Sequence, residues 1–232
     1  MNALGQNLHR AQLEVAAALQ ACSRAADSVR IVGVTKYVDD QWTEQLVRAG
    51  CRILGESRPQ TLWQKHAALA GCGPIEWHMI GHLQRNKAAR TVPLIDWLHS
   101  LDSLRLAETL NSEARKCGKK LKVLIEVNAT QDAGKTGIAP DDVQPLLEKL
   151  LPMDSLEVRG LMAMSTDGAT DDQVLREFTT VRLLRDRLQG QYTDALDLGE
   201  LSMGMSSDFA IGIAAGATMV RLGSTLWQGV VS

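Results

Sequence analysis

Apolar residues along the chain alternate between two spacings, one typical of buried strands and one typical of amphipathic helices. Short apolar runs of four to eight residues recur, and most are followed by apolar residues at every third or fourth position. The runs predicted as strands are 30–35, 51–54, 75–80, 95–99, 121–127, 158–164, 196–203 and 218–222. The pattern therefore predicts about eight strands, each followed by a helix or a helical turn.

The intervening stretches are predicted as helices, and one further helix precedes the first strand. They include 41–49, 140–151, 174–188 and 206–215, a first helix with Leu4, Leu8, Ala11, Val15 and Leu19 on one face, and another with Ala107, Leu110, Ala114 and Cys117. Strict alternation of strands and helices implies parallel strands joined by right-handed crossovers. We therefore predict a single α/β domain over residues 1–232, a (β/α)₈ TIM-type barrel with an extra N-terminal helix. An open, doubly wound sheet is the alternative.

Composition and charge narrow the class of protein. A net charge of −2 argues against a nucleic-acid partner, and the chain contains no apolar run long enough to span a membrane. Its polar, amphipathic N-terminus is unlike a signal peptide, so we expect a cytoplasmic protein. The four cysteines lie far apart, which predicts free, hydrophobic side chains, and no metal site is expected.

Candidate chemistry begins where the first predicted strand ends. In a barrel, reactive groups lie at the carboxyl ends of the strands, and Lys36 directly follows strand 30–35. A lysine that leaves a buried strand loses hydration, which favours the neutral amine that a Schiff base requires. From its position alone, Lys36 is either a Schiff-base lysine or an ordinary surface lysine in a loop.

Two loops rich in glycine and serine follow the last two predicted strands, where barrels often bind phosphate. The first contains Met205 and Ser206, whose hydroxyl either caps the next helix or contacts a phosphate. The second contains Arg221, Gly223 and Ser224, and Arg221 is either a phosphate clamp or a partner of a pyridine nitrogen. A lysine near a phosphate site predicts a phosphorylated aldehyde, either pyridoxal phosphate or the substrate of a sugar-phosphate aldolase.

Several segments of the chain match one family. They are 31–36, 55–57, 77–87, 160–164 and 201–223. The most specific are W-H-M-I-G-H-L-Q-R-N-K at 77–87 and L-S-M-G-M-S-S-D at 201–208. On these motifs the sequence resembles the pyridoxal phosphate homeostasis protein family, which is similar to the barrel domain of alanine racemase.

The resemblance implies a barrel that binds pyridoxal phosphate as a Schiff base, an internal aldimine on Lys36. It also implies phosphate contacts from Ser206, Gly223 and Ser224, with Arg221 facing the pyridine nitrogen. All the residues predicted to bind the cofactor are Lys36, Ser57, His82, Met205, Ser206, Arg221, Gly223 and Ser224. Ser57 stands where the family usually has asparagine. His82 either approaches the cofactor or is a structural hydrogen-bonding partner.

The expected function follows from what the chain contains after its last predicted strand. Alanine racemase-like enzymes add a C-terminal β-domain that supplies an acid or base, whereas this chain ends at Ser232. We therefore expect a pyridoxal phosphate-binding protein of cofactor homeostasis, with little or no catalysis of its own. Apo forms of pyridoxal phosphate-dependent enzymes are candidate partners. The alternative is a weak pyridoxal phosphate-dependent amino-acid racemase.

Overall fold

The predicted strands form a closed parallel barrel. The structure is a computed structural model that describes residues 3–130, 132 and 134–230. Each strand pairs with the next and the eighth pairs with the first. The strands are β1 Arg30–Val34, β2 Ile53–Glu56, β3 Glu76–Met79, β4 Trp97–Leu101, β5 Leu121–Glu126, β6 Leu156–Met162, β7 Glu200–Met205 and β8 Met219–Leu222. The predicted (β/α)₈ barrel is confirmed, and the open doubly wound sheet is wrong because β1 and β8 are paired along their length.

Helices cover the outside of the barrel. They are α1 Ala3–Ala21, α2 Asp40–Arg48, α3 Pro59–Ala68, α4 Arg85–Thr91, α5 Leu104–Lys116, α6 Pro140–Leu150, α7 Asp171–Gln191, α8 Phe209–Ala214 and α9 Ser224–Trp227. Asp39, Ser103 and Thr170 cap α2, α5 and α7, each accepting a hydrogen bond from a backbone N–H of the first turn. The apolar faces of the helices pack on the strands and form the main hydrophobic core. The predicted N-terminal helix is present as α1, with its predicted apolar face buried.

Helix α1 is joined to the last helix, which is in turn joined to β1. The Asn7 side-chain amide donates to the carbonyl oxygens of Leu226 at 3.0 Å and Gln228 at 2.9 Å. The Trp227 indole N–H donates to the carbonyl oxygen of Val34 at 2.8 Å, at the end of β1. These bonds fix the end of β1 at the mouth of the barrel.

Some element boundaries differ from the predictions. The predicted strand 196–203 is β7 Glu200–Met205, and residues 196–199 form a loop. The Gln189 side chain of α7 holds this loop, because its amide donates to the Leu196 carbonyl at 3.0 Å and its oxygen accepts from the Leu198 N–H at 2.6 Å. The short helices α4 and α9 were not predicted, since seven and four residues show too little helical periodicity.

Two details of the helix predictions are wrong. Cys117 does not lie on the buried face of α5, because that helix ends at Lys116 and leaves Cys117 exposed. The helix predicted from residue 206 begins at Phe209, so Ser206 does not cap it. The Asp208 carboxylate instead accepts from the Met205 N–H at 2.6 Å, which folds residues 205–208 into a turn after β7.

A buried ion pair joins the ends of β1 and β2 to α3. The Lys65 amine lies 2.7 Å from Glu56 Oε1, and the two side chains are 2% and 0% exposed. Lys65 also donates to the carbonyl oxygen of Thr35 at 2.6 Å, and the Thr35 hydroxyl donates to the same Glu56 oxygen at 3.0 Å. The other Glu56 oxygen accepts from the N–H of Ser57 at 3.0 Å. The backbone at Thr35, immediately before Lys36, is therefore anchored by its hydrogen bonds to Lys65 and Glu56.

We predict that Lys65→Met lowers the free energy of unfolding by about 3–5 kcal/mol, because it leaves the Glu56 carboxylate buried without its cation. Urea unfolding followed by circular dichroism measures this loss. Arg48→Ala is the matched control, since it breaks the exposed pair between Arg48 and Glu44 and should cost less than about 1 kcal/mol. Equal losses in the two variants would contradict the role assigned to Lys65.

Candidate functional site

A cavity of about 650 Å³ opens at the carboxyl ends of the strands. This is the face on which (β/α)₈ barrels place their functional sites. All the residues predicted to bind the cofactor contribute to its lining, namely Lys36, Ser57, His82, Met205, Ser206, Arg221, Gly223 and Ser224. The structure thus brings together residues from five strand ends. Their contact with a cofactor stays a prediction.

Lys36 is the one lysine among the described residues that line the cavity. Its amine lies 4.8 Å from the centroid of the Tyr37 ring and has no hydrogen bond or ion pair to the described residues. Two neighbouring lysines are engaged elsewhere: Lys65 pairs with Glu56, and the Lys135 amine donates to the carbonyl oxygen of Ser165 at 2.6 Å. The Lys36 amine is therefore available to a ligand.

Hydrogen-bond donors converge at the ends of β7 and β8. The Ser206 Oγ accepts from the N–H groups of Gly223 at 3.0 Å and Thr225 at 3.3 Å. A hydroxyl has two lone pairs and one proton, so the proton of Ser206 remains available as a donor. The exposed Ser224 lies beside it on the cavity wall. Hydroxyl donors in this arrangement suit the oxygens of a phosphate.

The loop that presents Ser206 depends on a glycine. Gly204 has a φ of +90°, and a Cβ added there would lie 2.8 Å from the Cα of Phe209. The buried Asp208 then ties the turn to the loop after β6, because its second carboxylate oxygen accepts from the Ser165 hydroxyl at 2.6 Å. The position of Ser206 is thus set by the backbone conformation at Gly204 and by the hydrogen bonds of Asp208.

Arg221 forms the buried floor of the cavity. Its Nη1 donates to the Ser202 carbonyl at 2.8 Å and to the Ser202 Oγ at 2.7 Å, and its Nη2 donates to the Ala163 carbonyl at 3.0 Å. Burial lowers the pKa of Arg221 to about 10, an effect opposed by Asp208 and Glu126, so the guanidinium stays charged at neutral pH. Its Nε–H and one Nη2–H make no hydrogen bond to the described residues and can serve a ligand.

Ser57 and His82 follow β2 and β3, on the other side of β1 from the loops after β7 and β8. Ser57 is packed closely by Gly81, where an added Cβ would lie 2.3 Å from the Ser57 carbonyl oxygen. His82 is largely exposed, and its Nδ1 lies 3.3 Å from Asp102 Oδ2. This contact orients the His82 ring at the edge of the cavity.

Glu126 is the lining residue of greatest chemical interest that the sequence analysis missed. It is the last residue of β5, and its Oε1 accepts from the Thr136 hydroxyl at 2.5 Å. Burial raises its pKa, and the bond from Thr136 partly opposes this effect. An acidic residue inside the apolar run 121–127 was the signal available in the sequence. The other lining residues that were missed are Val34, Tyr37, Val38, Ile80, Gly81, Thr136, Met164, Ser207 and Trp227.

A chain of hydrogen bonds inside the barrel was also missed, and we call it the interior chain. Glu76 Oε1 lies 2.7 Å from His78 Nε2, and His78 Nδ1 lies 2.8 Å from His99 Nε2. His99 Nδ1 lies 3.0 Å from Ser202 Oγ, which in turn contacts Arg221. Burial lowers the pKa of His78 and holds that of His99 well below its usual range, so both rings are neutral at pH 7. These residues stand on β3, β4, β7 and β8, and no local sequence spacing reveals their contact.

The described residues, 3–130, 132 and 134–230, lack two features. They contain no group of three or more histidine, cysteine, aspartate or glutamate side chains placed to hold a metal ion. In the same part of the chain no helix has the length and apolar character needed to cross a membrane.

Comparisons with known proteins identify the relatives of this barrel. Residues 19–229 match the family model described as the alanine racemase N-terminal domain. A pyridoxal phosphate homeostasis protein of Aquifex aeolicus is 34% identical over 227 residues, covering 98% of each chain. The protein of the same name from Escherichia coli is 32% identical over 229 residues, covering 98% of this chain and 97% of that one.

A solved structure shows the same fold with a ligand. PipY of Synechococcus elongatus, described with pyridoxal phosphate bound, is 35% identical and superposes with a TM-score of 0.83, covering 91% of this chain and 99% of that one. The full-length matches, the family model and this structural neighbour agree with each other. The chain belongs to the pyridoxal phosphate homeostasis protein family, whose barrel is of the alanine racemase N-terminal type.

Proposed function

We propose that this protein binds pyridoxal phosphate in the cavity, covalently as a Schiff base on Lys36, and serves cofactor homeostasis in the cytoplasm. The observation that carries the proposal is the convergence of three groups on one cavity. They are the unengaged Lys36 amine, the donors around Ser206 and the buried Arg221 guanidinium. Pyridoxal phosphate supplies an aldehyde that condenses with an amine, and it carries a phosphate and a pyridine nitrogen.

The residues present fit each part of this cofactor. The volume of about 650 Å³ lies within the range usual for small-molecule sites. The hydroxyls of Ser206 and Ser224 supply donors for the phosphate oxygens, and the Gly223 N–H, which donates to the Ser206 Oγ, holds that hydroxyl in place. Arg221 has donors only, so beside the pyridine nitrogen it would keep that nitrogen unprotonated. An unprotonated ring withdraws electrons less strongly than one paired with a carboxylate.

The relatives support the same proposal. Those of similar length are named pyridoxal phosphate homeostasis proteins, and PipY is described with pyridoxal phosphate bound. We extend the proposal to little or no catalysis by this chain and to transfer of the cofactor to apo forms of pyridoxal phosphate-dependent enzymes.

A weak amino-acid racemase is the second candidate function, and Glu126 is the observation that favours it. A buried carboxyl group with a raised pKa at the cavity wall is a potential proton donor or acceptor. The homeostasis function remains our first proposal because it requires only binding.

We predict that borohydride reduction of the protein loaded with pyridoxal phosphate attaches a pyridoxyl group to Lys36, since its amine is unengaged. Peptide mass spectrometry locates the label. Lys36→Ala should abolish labelling, whereas the control Lys135→Ala should retain it. Labelling of a different lysine would refute the assignment, and a protein that takes up no cofactor would favour the sugar-phosphate aldolase interpretation.

We predict that Ser206→Ala and Ser224→Ala each weaken cofactor binding by about 1.5–3 kcal/mol, the usual value of a hydrogen bond to a charged group. Equilibrium dialysis of pyridoxal phosphate measures the affinity. Ser112→Ala is the control, because Ser112 is exposed on α5 and does not line the cavity. If the first two variants bind as tightly as the wild type, the phosphate does not lie at the ends of β7 and β8.

We predict that the loaded protein exchanges the α-proton of alanine in deuterium oxide no faster than free pyridoxal phosphate does, because a binding role places no proton-transfer demand on the site. Proton NMR follows the exchange. Rapid exchange that is lost in Lys36→Ala would establish the racemase candidate instead. In that case Glu126→Gln should slow the exchange if its carboxyl group transfers the proton.

A further inference from the structure

The interior chain has ends of opposite hydrogen-bonding character. Arg221 can only donate hydrogen bonds. Glu76 accepts, because its hydrogen bond with His78 lowers the pKa of its carboxyl group and keeps it ionised. Between these ends lie a hydroxyl and two neutral imidazoles, each of which has one proton to donate.

These ends permit one direction of donation. Ser202 accepts from Arg221 and donates to His99 Nδ1, His99 Nε2–H donates to His78 Nδ1, and His78 Nε2–H donates to the Glu76 carboxylate. The reverse tautomers would set the lone pair of His78 Nε2 against the carboxylate oxygen at 2.7 Å, which is repulsive.

We propose that Ser202, His99 and His78 are positioning residues that hold Arg221 at the floor of the cavity. Because the proton of Ser202 is committed to His99, its oxygen can present only lone pairs to the guanidinium. Nη1 is thereby fixed, and the remaining Nε–H and Nη2–H groups of Arg221 are left for a ligand. Their use by the pyridine end of the cofactor rests on the proposed function.

The Glu76 end of the interior chain is itself held in place by neighbouring side chains. The Arg30 guanidinium lies 3.5 Å from Glu76 Oε1 and 2.6 Å from Glu200 Oε1. The Trp97 ring stacks on His78 with centroids 5.7 Å apart and an interplanar angle of 27°. His78, His99 and Ser202 are all fully buried, so water cannot replace a lost partner in the chain. Removal of one residue of the interior chain should therefore disturb the position of Arg221 through the residues that lie between them.

The direction of the interior chain can be tested without any cofactor. In protein labelled with ¹⁵N-histidine, NMR at about pH 7 should show His99 and His78 as neutral rings protonated on Nε2. A nitrogen–nitrogen coupling should appear across the bond between them. The exposed His9 is the internal reference and should show no such coupling. A proton on Nδ1 of either buried ring, or a charged ring at this pH, would overturn the proposal.

The effect on Arg221 is tested by a double-mutant cycle on retention of pyridoxal phosphate. Ser202→Ala should weaken retention roughly tenfold, equivalent to about one hydrogen bond. Added to Arg221→Met, it should cause almost no further loss, because Ser202 acts through Arg221. The control is Ser155→Ala, which alters a buried serine outside the interior chain, just before β6, and should leave retention unchanged.

The outcomes separate this inference from the proposed function. Independent, additive losses from the two substitutions would refute the positioning role while leaving cofactor binding intact. If the wild-type protein retains no pyridoxal phosphate, the proposed function fails, and the histidine NMR still tests the direction of the interior chain on which the positioning role depends. The NMR measurement on the wild type also decides the matter if Ser202→Ala does not fold.

Discussion

A polar side chain that the barrel encloses is costly to leave without a hydrogen-bond partner, because water cannot reach it there. Two buried networks meet this constraint, and the cavity rests on both. The pair of Lys65 and Glu56 holds the backbone before Lys36. The interior chain from Glu76 ends on Arg221 at the cavity floor. The backbone before Lys36 and the side chain of Arg221 are thus held in place because buried polar groups form hydrogen bonds with each other.

Above these networks, the mouth of the barrel keeps some groups without partners in the described residues. The Lys36 amine and two N–H groups of Arg221 have none, and the Ser206 hydroxyl keeps its proton. Lys65, by contrast, donates to both the Thr35 carbonyl and the Glu56 carboxylate. The polar groups that are free to bind a ligand are therefore the few that lack hydrogen-bond partners in the described residues. They lie at the face of the barrel where a ligand can enter.

The fold was predictable from sequence because alternation of two apolar periods is a local signal. The same holds for the groups at strand ends, and the residues predicted around Lys36 and Ser206 do line one cavity. What could not be predicted depends on contacts between distant strands. His78 and His99 are 21 residues apart and meet through the pairing of β3 with β4, whereas His99 and Ser202 are 103 residues apart and meet across the interior of the barrel. The turn at Asp208 was missed for a similar reason, since Ser165 on another loop holds it.

A crystal structure of the protein grown with pyridoxal phosphate tests the central claim most directly. We predict electron density continuous from the Lys36 amine to the cofactor, a phosphate bonded to the hydroxyls of Ser206 and Ser224, and Arg221 beside the pyridine nitrogen in the position described above. Cofactor bound outside this cavity, joined to another lysine, or turned so that its phosphate meets Arg221 would contradict it.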